Sequence, residues 1–93
     1  MALEADPDLK AAYSKLGQAY QEKHQYPKAV DWYHKAIAAE PENPDAWLAL
    51  GYLSQEIGKK KEAIGAFKKF LDLRPEAENK KEVADLIYYL EGK

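Results

Sequence analysis

The chain has 93 residues, 46% of them hydrophobic and 32% charged, which is enough for one globular domain with a modest core and is far from a disordered composition. A formal charge of −2 is too small to steer the whole protein toward nucleic acid or an anionic membrane surface. The absence of cysteine excludes a disulfide framework and a thiolate metal site, fits a cytoplasmic setting and leaves the periplasm open.

Residues 1–9 contain Ala2-Leu3-Glu4-Ala5-Asp6-Pro7, too short to be a helical unit of its own. The first helix is predicted from Asp8 to Lys23, and a second from Tyr26 to Ala39. Pro27 falls in the first turn of that second helix, where a missing N–H costs little. His24 lies in the turn between the two. Should that turn need a left-handed residue, histidine is among the better non-glycine choices. A third helix runs from Pro44 to Ile57, with Asn43 as N-cap, proline at the first helical position and Gly58 as the stop. The fourth runs from Lys60 to Leu73 and is ended by Arg74-Pro75. A fifth, from Glu78 to Leu90, carries Val83, Leu86, Ile87 and Leu90 on one face and Lys80, Lys81, Glu82 and Asp85 on the other. No window approaches the ~20 apolar residues of a membrane span.

A shift of 34 residues lays the chain on itself. Leu16-Gly17 meets Leu50-Gly51, Ala29 meets Ala63, Pro41 meets Pro75, Tyr13 meets Trp47 and Tyr33 meets Phe67. Residues 2–7 meet Ala36-Ile37-Ala38-Ala39-Glu40-Pro41 in the same register. The physical sense is that two helices approach closely only where side chains are small. Gly17 and Gly51 on the first helices and Ala29 and Ala63 on the second supply that contact, with Tyr13, Leu16, Tyr20, Tyr33, Trp47, Leu50 and Phe67 around it. Two positions depart from the repeat: Ser54 stands where Tyr20 does, and Phe70 stands where Ala36 does. That exchange predicts a repacked second unit with Phe70 reaching under the last helix.

The spacing resembles the tetratricopeptide pattern W-x₂-L-G-x₂-Y…A-x₃-F…P over 34 residues. Trp47, Leu50, Gly51, Ala63, Phe67 and Pro75 carry it in one unit, and Tyr13, Leu16, Gly17, Tyr20, Ala29, Tyr33 and Pro41 in the other. The resemblance implies an all-α fold, a right-handed superhelical stack of antiparallel helix hairpins (an α-solenoid) in a single domain. Its parts are expected as the tail of a preceding repeat at 1–9, repeat one at 10–43, repeat two at 44–77 and a C-terminal capping helix at 78–93, resembling the C-terminal end of a longer array.

The resemblance also implies a protein–protein interaction scaffold without catalysis or cofactor, whose partner is a protein or peptide held in a concave groove lined by the first helix of each hairpin. Carried onto this chain, the groove is expected to be lined by Ala11, Ser14, Lys15, Gln18 and Gln21, and by Asp45, Leu48, Ala49, Tyr52, Gln55 and Glu56. Leu48 and Tyr52, four apart, form either an apolar patch in that groove or a seat for the final helix. Some family members grip a peptide's C-terminal carboxylate with lysine, asparagine and arginine. The matching positions here are Ser14, Gln18, Ala49, Asn79 and Val83, none cationic, so that clamp is not expected. A second expectation is a weak homodimer through the face that Ala12, Leu16, Ala19 and Tyr20 present toward a missing neighbour, and a third is an end cap without its own ligand.

The remaining chemistry reads as surface. His24 and His34, ten apart, lack flanking ligands at metal spacing. The cluster Lys59, Lys60, Lys61, Lys68 and Lys69 reads as a solvated face rather than a nucleic-acid site in an acid-balanced chain. Trp32 is expected to pack near Trp47, and no nucleophile or carboxylate pair is placed with a base.

Overall fold

Apolar residues at helical spacing, broken by proline, glycine and Asn43, divide the chain into five helices. The computed structural model describes residues 7–92, with side chains from residue 11. The helices are α1 Pro7–Glu22, α2 Tyr26–Ala39, α3 Pro44–Glu56, α4 Lys60–Leu73 and α5 Lys80–Leu90, with no strand among the described residues. Each packs chiefly on its neighbours in sequence, giving an elongated body of 46 × 28 × 19 Å. Most of the expected tail at 1–9 lies outside the described residues.

The turns follow local chemistry. Asn43 Oδ1 accepts from the backbone N–H groups of Asp45 and Ala46 at 3.1 and 3.4 Å, satisfying donors that the first turn of α3 leaves unpaired. His24 has φ 60° and Gly58 φ 80°, so both hairpins turn through a left-handed residue at the same repeat position. The histidine tolerates this with its ring tied to Tyr26, Nδ1 lying 2.8 Å from the Tyr26 hydroxyl.

Close approach of the paired helices is visible at the glycines. A Cβ at Gly17 would lie 2.7 Å from the Tyr33 ring, and one at Gly51 would lie 2.5 Å from Phe67. The core forms two clusters. Ala29, Val30, Tyr33 and Ala36 of α2 meet Ala46, Leu50 and Leu53 of α3 and Ala66 of α4. Ala63, Phe67 and Phe70 of α4 meet Val83, Ile87 and Leu90 of α5. Trp47 packs on both, its indole N–H donating to the Pro41 carbonyl at 2.7 Å. Phe70 therefore does lie beneath the last helix, as its exchange with alanine predicts.

Helix α5 departs from the expected start at Glu78. In the 34-residue register the equivalent of Pro44 is residue 78, yet the helix begins at Lys80. Residues 75–79 are spent on two turns, with Ala77 N–H donating to the Arg74 carbonyl and Lys80 N–H to that of Ala77. Asn79, unlike Asn43, makes no side-chain capping bond. The helix is also turned about its axis. Residues 83, 87 and 90 correspond to 49, 53 and 56 of α3, of which only Leu53 is buried; α3 buries Ala46, Leu50, Gly51, Leu53 and Ser54. The two helices therefore turn different faces to the core and share only this one position. A Lys68–Glu91 ion pair at 3.2 Å fastens its far end to α4.

Two other sequence readings change. Trp32, expected beside Trp47, stacks instead on Tyr13 of its own hairpin, with ring centroids 6.2 Å apart, and carries the Lys35 ammonium 4.6 Å above it. At the position one repeat later stands Ala66, which belongs to the core between the hairpins. The expected ends of α1 and α3, Lys23 and Ile57, lie one residue beyond the helices, in the turns that lead into their partners.

Candidate functional site

The concave groove

Helices α1 and α3 occupy the same place in successive hairpins, so side chains at equal repeat positions face a common space. That space is an open groove of about 420 Å³, lined by Gln18, Gln21 and Glu22 of α1, Tyr26 of α2, and Tyr52, Leu53 and Glu56 of α3. Four residues expected from the sequence meet there: Gln18, Gln21, Tyr52 and Glu56. Seven expected residues do not line it. Ala11, Lys15 and Asp45 are exposed, whereas Ser14, Leu48, Ala49 and Gln55 are half-buried. Leu48 packs on the α4–α5 cluster and Ala49 on the α2–α3 cluster. The two halves of the anticipated apolar patch thus part company, Leu48 joining the seat of the last helix and Tyr52 the groove.

Three lining residues were not foreseen. Glu22 and Glu56 are 34 residues apart, so the repeat itself marks them as a pair. Leu53, only 1% exposed, belongs to the core and also lines the groove. Tyr26 opens α2 and carried no motif signal; its hydroxyl is held by His24.

Tyr52 is the principal aromatic of this surface. It retains 37% of its exposure while its ring meets the fully buried Phe67 edge-to-face, centroids 5.2 Å apart. An exposed ring fixed from beneath loses little side-chain entropy on contact with a partner, the property that makes tyrosine a frequent interface anchor. Polar groups above it are Gln18 and Gln21, each able to donate and accept, and the carboxylates of Glu22 and Glu56. Amide side chains flanking an aromatic suit the backbone N–H and C=O groups of an extended peptide.

Elsewhere the described residues hold no group of three His, Asp or Glu side chains placed for a metal ion, and no described helix is long and apolar enough to cross a membrane. Burial raises the Tyr33 phenol above its ordinary range, a consequence of its place in the core beside Gly17.

Family and relatives

A hairpin stack with glycine-to-aromatic helix contacts and a groove on its first helices defines a repeat scaffold. The tetratricopeptide repeat model matches residues 14–78, and the chain belongs to that family. It is 28% identical over 60 residues to Superkiller protein 3 of Saccharomyces cerevisiae, an overlap that covers 64% of this chain and 4% of that protein. It is 36% identical over 66 residues to Tetratricopeptide repeat protein 28 of Mus musculus, covering 71% of this chain and 3% of the relative. The chain thus spans a small fraction of either relative. Membership supports a protein–protein interaction module in the general sense.

Proposed function

We propose that this chain binds an extended peptide or protein segment in the concave groove between α1 and α3, and acts as an adaptor rather than a catalyst. The observation that supports this most directly is the convergence of Gln18, Gln21, Tyr52 and Glu56 on one open groove around a rigidly seated, exposed tyrosine. Selection from a random peptide display library, followed by NMR titration, tests it. A selected peptide should shift the side-chain amides of Gln18 and Gln21, and Tyr52→Ala should weaken it by about 1–3 kcal/mol while the helical circular dichroism persists. Shifts centred on the convex face, at Lys61 or Lys68, would refute the assignment of the groove.

Self-association is the second reading, favoured by one observation: Leu16 on α1 keeps 38% of its exposure, with Ala19 exposed and Ala12 and Tyr20 half-buried nearby on the helix. An alanine-rich face buries little apolar area, so such a dimer would be weak. Sedimentation from micromolar to millimolar concentration checks it against a variant carrying Ala12→Glu and Ala19→Glu. A wild type that stays monomeric throughout removes this reading.

A further inference from the structure

Resting on the groove reading, we infer that the preferred partner presents an arginine or lysine side chain, seated between Tyr26 and Tyr52 with its charge directed to Glu22 and Glu56. Three independent features favour a cation there. The groove contains two carboxylates and no cationic side chain among its lining residues. Neither carboxylate belongs to an ion pair among the described residues; the pairs formed are Lys59–Glu62 and Lys68–Glu91, both elsewhere. Lys23 follows Glu22 in the turn but is not part of the lining.

The backbone adds to the same field. Glu22 is the last residue of α1 and Glu56 the last of α3, so two helix C-termini end at the groove. Neither helix has a basic residue in its last turn. The partial negative charge of those carbonyl ends is therefore not offset by the helices themselves, and a cation from a partner meets it together with the two carboxylates. Tyr26 and Tyr52 supply aromatic faces on which a guanidinium or ammonium stem can lie. An acidic segment, or a free C-terminal carboxylate, would instead bring a third negative charge into a site with none of the opposite sign.

The experiment uses the whole chain as bait for a random peptide display library, alongside Glu22→Gln/Glu56→Gln and Tyr52→Ala variants checked for helix content by circular dichroism. Peptides recovered by the wild type should carry arginine or lysine at one recurrent position. In a fluorescence titration, replacing that residue by citrulline (or by norleucine where it is lysine) should weaken binding by about tenfold. The double glutamine variant should lose about the same factor for the cationic peptide and leave the neutral analogue within about twofold, and the preference should fade as salt rises. Recovery of neutral or acidic peptides whose binding still depends on Tyr52 would overturn the cation preference and leave the groove reading standing. Recovery of no peptide whose binding depends on Tyr52 would overturn both.

Discussion

Alanine at Gly51 and at Gly65 should change stability in opposite directions, although both glycines lie inside helices. The chemistry of the substitution is the same: alanine is favoured over glycine in a helix interior by about 1 kcal/mol. The surroundings differ. A Cβ at Gly65 meets nothing within 4 Å, so the full propensity gain is realised and the variant should be about 0.5–1 kcal/mol more stable. A Cβ at Gly51 lies 2.5, 2.6 and 3.0 Å from three carbons of Phe67. Ordinary carbon contacts are ~3.5–4.0 Å, so ring and helix must separate by about 1 Å. Phe67 has no exposure and cannot swing into solvent. Overpacking of this kind costs about 1–3 kcal/mol, and the enclosed ring puts the cost toward the upper end. After the propensity gain, Gly51→Ala should remain about 1–2 kcal/mol destabilised, a fall of roughly 4–15 °C in melting temperature for a domain of this size. Gly51→Leu should exceed about 2 kcal/mol. Urea unfolding followed by circular dichroism measures all three. A Gly51→Ala protein as stable as wild type, beside a stabilised Gly65→Ala, would show that the hairpin has slack at its crossing and that the close contact does not govern the packing.

Ser54 is fully buried and its hydroxyl has no hydrogen-bond partner, so Ser54→Ala should stabilise by about 1 kcal/mol, measured by the urea midpoint. Asn43→Ala removes the two-donor cap of α3 and should cost about 1 kcal/mol in the same assay, whereas Asn79→Ala, at a start without a side-chain cap, should cost less. Burial raises the Tyr33 phenol above its ordinary 10.0, so the fold favours the neutral form. The stability this group contributes is complete below the unfolded value near 10 and is lost as pH rises through the raised folded value. Thermal melts between pH 9 and about 11.5 should therefore fall less steeply for Tyr33→Phe than for wild type.

What the sequence displayed was whatever the repeat duplicates. The period of 34 marked Gly17 and Gly51 as points of close approach, with Tyr33 and Phe67 around them, and the structure puts those two rings directly against the glycines. His24 was legible as a left-handed residue because Gly58 marks the same turn one repeat later. The last helix was not legible in the same way. Its apolar face at Val83, Ile87 and Leu90 is plain, but the rotation that brings those residues inward depends on how the longer 74–79 connection folds and on Phe70 beneath. The groove was half legible for a related reason. Gln18, Gln21, Tyr52 and Glu56 follow from the family resemblance carried onto the first helices, whereas Tyr26 enters from a different helix, held by a hydrogen bond to His24 that no spacing rule encodes.

The parting of Leu48 from Tyr52 has a consequence that can be measured. Both lie on α3, one helical turn apart, and a sequence reading treats them as one patch. Leu48 packs against the α4–α5 cluster, whereas Tyr52 faces the groove with its ring on Phe67. α5 is the shortest helix, at 11 residues, and has no side-chain cap at its start. Short helices depend on tertiary contact for most of their stability, so loss of part of the seat should be felt first in α5. Leu48→Ala should cost about 1–2 kcal/mol, below the usual range for a fully buried leucine because the side chain is only half-buried. Hydrogen exchange should then quicken selectively in the α5 amides, from Val83 to Leu90, while α1 and α2 stay protected. Tyr52→Ala should give the reverse pattern, with α5 protection near wild type and peptide binding lost. Uniform acceleration across all helices in Leu48→Ala would mean that the stack opens only as a unit, and unchanged α5 exchange would remove Leu48 from its seat.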